Sequence, residues 1–108
     1  MPAIVYYECP DGRQPFADWL NDVDSVAAAR IAVAIERLGE GNAGDVKPVG
    51  EGVSERRIHF GQGFRIYFGR DGRELILLLM GGTKNRQQAD IQEAKRLWAE
   101  YKRRKKDG

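Results

Sequence analysis

Residues 54–68 read SERRIHFGQGFRIYF, an alternation of apolar and polar side chains on both sides of Gly61-Gln62-Gly63. Ile58, Phe60, Phe64, Ile66 and Phe68 fall on even positions; Arg57, His59, Arg65 and Tyr67 fall on odd ones. A period of two marks strands that bury one face, so this segment is a predicted hairpin. With Gly61-Gln62-Gly63 as its loop, Phe60 would oppose Phe64, Ile58 Ile66, His59 Arg65 and Arg57 Tyr67. Asp71-Gly72 reads as a two-residue type I′ turn into the run LILLLM at 75–80. That turn would set Phe68 against Leu75, Ile66 against Leu77 and Tyr67 against Ile76. The LILLLM strand is apolar on both faces and needs cover on both. The polar group would then lie in a groove floored by Ile76, Leu78 and Met80.

The rest of the chain divides readily. AIVYY (3–7) is rich in β-branched and aromatic residues and predicts a strand, which CPDGRQP then breaks. Phe16, Trp19, Leu20 and Val23 form the stripe of a short helix with Pro15 in its first turn. Asp24 and Ser25 are capping residues for a second helix, with Ala27, Ala28, Ile31, Ala34, Ile35 and Leu38 on its apolar face and Gly39 at its end. Residues 40–52, EGNAGDVKPVGEG, show no period and read as a loop. From 85 to 106, Ile91, Ala94, Leu97, Trp98 and Tyr101 share one side of a helix expected to fray in the basic run KRRKK. The expected order is β-α-α-β-β-β-α: one α+β domain over 1–108 with an antiparallel sheet.

Charge sharpens this picture. The net charge is +2, but residues 1–55 hold 4 Lys/Arg against 10 Asp/Glu, and residues 56–108 hold 14 against 6. A basic second half points to a polyanion-facing side. One cysteine, Cys9, excludes an internal disulfide, and one histidine beside it argues against a zinc site. With no apolar run near membrane-spanning length, a cytoplasmic protein with no membrane partner is expected.

Arg57, His59, Arg65 and Tyr67 on one face form a chemically capable set. Guanidinium groups bind phosphate bidentately, and an imidazole can take a proton near neutral pH. Cleavage of RNA without a metal needs a base for the 2′-OH, cations on the phosphorane and a donor to the leaving 5′-oxygen. The plain alternative is a solvated sheet face carrying long polar side chains.

Four segments, RIAVAIERLGEGN (30–42), GNAGDVKPVGEGVSERRI (41–58), GFRIYFGRDG (63–72) and LLLMGGTKNRQQADIQEA (77–94), resemble the RelE/ParE toxin superfamily. The match is nearest to its HigB-like, phage-derived addiction-module-killer branch. The resemblance implies a RelE-like fold: a twisted antiparallel sheet with two N-terminal helices and a C-terminal one. It further implies the toxin of a type II toxin–antitoxin module, needing no cofactor or metal. The activity implied is that of an mRNA interferase, an endoribonuclease that cuts messages on the ribosome. ParE members instead inhibit DNA gyrase without cutting RNA, and an inactive toxin would act only in autoregulating its operon. The implied partners are a cognate antitoxin, the ribosome and mRNA, and operator DNA reached only together with the antitoxin.

Carried over residue by residue, the resemblance makes Arg57 and His59 catalytic positions of the strand. Arg65 in GFR matches the family's phosphate-stabilising arginine, and Lys84 and Arg86 match basic residues opening the C-terminal segment. QQADI departs from the pattern by lacking the usual aromatic, a role Tyr67 or Asp90 would have to fill. Lys47, Arg56, Arg86 and Asp90 complete the candidate RNA- and phosphate-contacting set.

Overall fold

A computed structural model describes residues 1–108. Strand β1 (Ala3–Tyr6) leads into helices α1 (Pro15–Asn21) and α2 (Ser25–Gly39). Four strands follow: β2 (Val46–Gly50), β3 (Val53–Ile58), β4 (Phe64–Asp71) and β5 (Leu75–Thr83). A 3₁₀ turn (Lys84–Arg86) opens helix α3 (Gln87–Asp107). The sheet order is β1-β5-β4-β3-β2, with β1 parallel to β5 and every other pair antiparallel. This is an α+β fold on a mixed sheet, which corrects the expected all-antiparallel one and its four strands. After β1, the two helices carry the chain to the far edge of the sheet. A four-stranded meander then returns it to lie beside β1.

The extra strand, β2, comes from the segment expected to be a loop. Val46 and Val49 are half-buried, and Pro48 is tolerated because β2 is an edge strand. Gly50 pairs with Val53 across Glu51-Gly52, whose φ values of 56° and 86° are both left-handed. That is the signature of a two-residue type I′ turn, so the tight hairpin lies here. At Asp71-Gly72 the expected type I′ turn is absent: Asp71 pairs with Leu75 across a three-residue loop.

Both registers also differ from expectation, with unlike consequences. In the first hairpin, Ile58 opposes Phe64, Arg57 Arg65, Arg56 Ile66 and Glu55 Tyr67. Strand β3 ends at Ile58, so His59 and Phe60 lie in the connection. The shift is two residues, an even number, and every side chain keeps its expected face. Between β4 and β5, Phe68 opposes Leu78 while Tyr67 opposes Met80, leaving Leu79 as a bulge. From Asp71 to Phe68 the register is shifted by three, an odd number, so Ile76 and Leu78 face away from the polar group and Leu77 and Leu79 lie on its side. The bulge restores parity, and Met80 stays in the floor as expected.

The sheet is covered on both faces. Phe16, Ile31, Leu38, Ile66, Phe68, Ile76 and Leu78 pack between the sheet and α1/α2. Tyr67, Leu77, Leu79, Ala94, Leu97 and Trp98 pack beneath α3. Each large side chain so buried contributes about 1.5–3 kcal/mol. Asp24 caps α2 by accepting from the backbone N–H groups of Val26 and Ala27 at 3.1 and 3.0 Å. Two glycines allow the covering helices to approach: a Cβ on Gly81 would overlap the Trp19 ring, and one on Gly82 would overlap the Asp90 carboxyl.

Helix α3 stays regular to Asp107, where fraying was expected. Arg104 donates to the Glu8 carbonyl at 2.7 Å, and Lys105 donates to Asp71 at 2.6 Å. These contacts tie the basic end to the sheet's other connections. No helix is long and apolar enough to cross a membrane.

Candidate functional site

Arg57 on β3 and Arg65 on β4 are direct cross-strand partners. Two like charges set opposite each other repel unless something lies between them. That something is Glu55, whose side chain is fully buried. Its carboxylate accepts from Arg57 Nε at 3.1 Å, Gln87 Nε2 at 2.6 Å and the Tyr67 hydroxyl at 3.4 Å. It also lies 3.7 Å from Arg65 Nε. Both arginines thus turn the Nε edge toward one carboxylate, which leaves their terminal Nη groups for a ligand.

Those groups look into a cleft of about 530 Å³ lined by Arg57, His59, Arg65, Lys84, Gln87 and the loop 60–63. Four candidate residues therefore meet in one place: Arg57, His59 and Arg65 from the hairpin and Lys84 from the 3₁₀ turn. A backbone bond from Lys84 N–H to the Gly63 carbonyl, 3.3 Å, holds the turn against the loop. His59 is largely exposed, and its Nε2 lies 2.6 Å from Asp45 Oδ2. The hydrogen bond to His59, with Arg57 nearby, holds the Asp45 carboxyl below the usual aspartate range. This contact orients the imidazole and leaves Nδ1 as the free ring nitrogen.

The remaining candidates lie elsewhere. Tyr67 opposes Glu55, not Arg57, and is fully buried beneath the cleft. Burial, reinforced by the Glu55 carboxylate, pushes its hydroxyl well above the ordinary tyrosine range. Lys47 is exposed on the edge strand, directly opposite Glu55 and on the same face of the sheet, outside the cleft lining. Arg56 points to the other face, toward α2. Arg86 is exposed at the end of the 3₁₀ turn and does not line the cleft. Asp90 is buried against Gly82, its Oδ2 without a hydrogen-bond partner, and burial pushes its carboxyl up against a smaller opposing effect of Arg86.

Glu55 and Asp45 escaped the reading of the sequence. Glu55 shares odd parity with Arg57 and Arg65, so alternation alone places it on their face. Asp45 carries no such signal, because its partner is fixed by a loop.

The fold and cleft define a small α+β domain with a cationic, imidazole-bearing cleft at one end of its sheet. No known protein-family profile matches the chain. It is 43% identical over 83 residues to an uncharacterized protein of Haemophilus influenzae, a match covering 76% of this chain and 84% of that one. The chain belongs to the same family as that protein.

Proposed function

We propose that this protein is the toxin of a type II toxin–antitoxin module and acts as a ribosome-dependent mRNA endonuclease. The observation that carries this reading is the convergence of Arg57, Arg65, Lys84 and His59 on one cleft. The His59 imidazole takes the proton of a ribose 2′-OH, and the 2′-oxygen attacks the adjacent phosphorus. The Arg57 and Arg65 Nη groups stabilise the charge that grows on the phosphorane oxygens. The P–O5′ bond then breaks, leaving a 2′,3′-cyclic phosphate and a 5′-hydroxyl whose proton comes from Lys84 or water. Asp45 is a positioning residue for the imidazole, and Glu55 one for the arginine pair. Within the module a cognate antitoxin holds the toxin in check, and operator DNA is reached only through that complex.

The test is pulse labelling after induction, with primer extension across messages on translating ribosomes. Translation arrest with cuts inside reading frames, both abolished by His59→Ala and Arg65→Ala, is the expected result. Intact messages, or loss of DNA supercoiling while translation continues, would overturn it in favour of a gyrase-binding inhibitor.

A further inference from the structure

A second depression, of about 410 Å³, opens on the opposite face of the sheet between α2 and β3. Arg30 and Arg37 stand about two turns apart on α2, so they share a side of the helix. Arg56 reaches the same depression from β3. None of the three takes part in an ion pair with a carboxylate. The Nε of Arg56 is buried and has no hydrogen-bond partner. Burial acts against the Arg56 charge, Asp45 partly offsets it, and the nearby Arg37 adds a smaller repulsion. Three guanidinium groups gathered with no carboxylate closer than Asp45, which is itself bound to His59, form an anion site.

The position of this depression says which anion. His59 and Phe60 line both it and the cleft, so the connection 59–63 is a ridge with cations on each flank. Arg57, Arg65 and Lys84 lie on one side; Arg30, Arg37 and Arg56 lie on the other. A ligand occupying both must be a flexible chain with repeated negative charges. Arg30 already stacks over the Phe60 ring at 4.7 Å, which offers a planar surface for a base, and Val33 and Ile58 supply an apolar floor.

We propose that Arg30, Arg37 and Arg56 form a second phosphate subsite. It holds a flanking backbone phosphate of the same single-stranded RNA whose reacting phosphodiester lies in the cleft. This rests on the proposed nuclease reading and deepens it: the substrate is a single strand bent over His59 and Phe60. Duplex RNA, a stiff rod, does not follow that ridge.

Binding of uncleavable 2′-O-methyl oligonucleotides tests it, using the intact protein and the double variant Arg30→Ala/Arg37→Ala. Both substitutions are on the exposed side of α2, so folding is retained. A hexanucleotide is expected to bind the variant about tenfold more weakly, with a salt slope shallower by about 0.7 for each phosphate that the variant leaves unneutralised. A dinucleotide, which fills the cleft alone, is expected to bind both proteins equally. Equal hexanucleotide affinities and slopes would overturn the proposal, as would an equal weakening for the dinucleotide or no binding of either strand to the wild type. Poly-glutamate that binds wild type but not the variant, with strand binding unchanged, would assign the depression to an acidic protein segment instead. Failure of the nuclease reading has a different signature: strand binding that depends on Arg30 and Arg37 beside messages that stay intact on ribosomes.

Discussion

Glu55 and Arg65 lie diagonally across β3 and β4, Oε1 3.7 Å from Nε, with side-chain exposures of 0% and 8%. The same carboxylate holds Arg57 at 3.1 Å, so one buried negative charge serves two guanidinium groups. Removing it strands like charges in a poorly solvated place. Glu55→Ala is expected to destabilise the fold by about 3–5 kcal/mol, the usual consequence of breaking a buried pair. Urea denaturation monitored by Trp fluorescence measures this. Glu55→Gln, which keeps the shape and some of the hydrogen bonds, should lose less.

Tyr67 beneath the cleft should behave as a packing residue. Its hydroxyl donates to Glu55 over a long 3.4 Å, so Tyr67→Phe is expected to cost about 1 kcal/mol or less. Message cleavage should be unchanged in this variant and abolished in Arg65→Ala. Loss of cleavage with normal stability in Tyr67→Phe would return the tyrosine to the chemistry.

The Asp45–His59 contact has a pH signature. The bound Asp45 carboxyl titrates below its ordinary value, so the carboxylate is the form favoured by folding. Its stabilising contribution is therefore complete above the unfolded value of about 3.9 and disappears as pH falls through the depressed folded value. Carboxyl-carbon NMR should show the low midpoint in the wild type. In His59→Ala the midpoint should move back up, since the largest cause of the depression is gone.

Asp90 predicts the opposite slope. Burial raises its carboxyl, so the folded protein binds that proton more tightly than the unfolded chain does. Stability attributable to this group is greatest below about pH 4 and falls as pH rises from there toward the raised folded value. Asp90→Asn should therefore raise Tm at pH 7 and give no advantage at acidic pH. Calorimetry at the two pH values decides it.

Gly82 and Asp90 should be coupled. A Cβ on Gly82 would occupy the space of the Asp90 carboxyl, so Gly82→Ala should cost about 1–3 kcal/mol through overpacking. Adding Asp90→Ala should restore much of that loss. A double-mutant cycle with no coupling would show that the sheet, not the carboxyl, resists the methyl group.

Alternation and helical stripes, read from the sequence alone, determine three helices, most of the strands and which side chains share a face. Arg57, Arg65 and Tyr67 fall on one side in the expected register and in the observed one, because strand side chains alternate with a period of two and the hairpin shift is even. The cap at Asp24 and the two covered faces of LILLLM are equally local, set by side-chain chemistry within a few residues. Tertiary structure decided what depends on distant partners. Val46–Gly50 becomes a strand because β3 offers it an edge, although its composition reads as loop. The three-residue loop after Asp71 sets an odd register that turns Ile76 and Leu78 away from the cleft, and the Leu79 bulge returns Met80 to it. Long-range pairing set β1 beside β5. Alternation puts Glu55 on the arginines' face, but its contact with Gln87, like that of Asp45 with His59, was decided by distant parts of the chain.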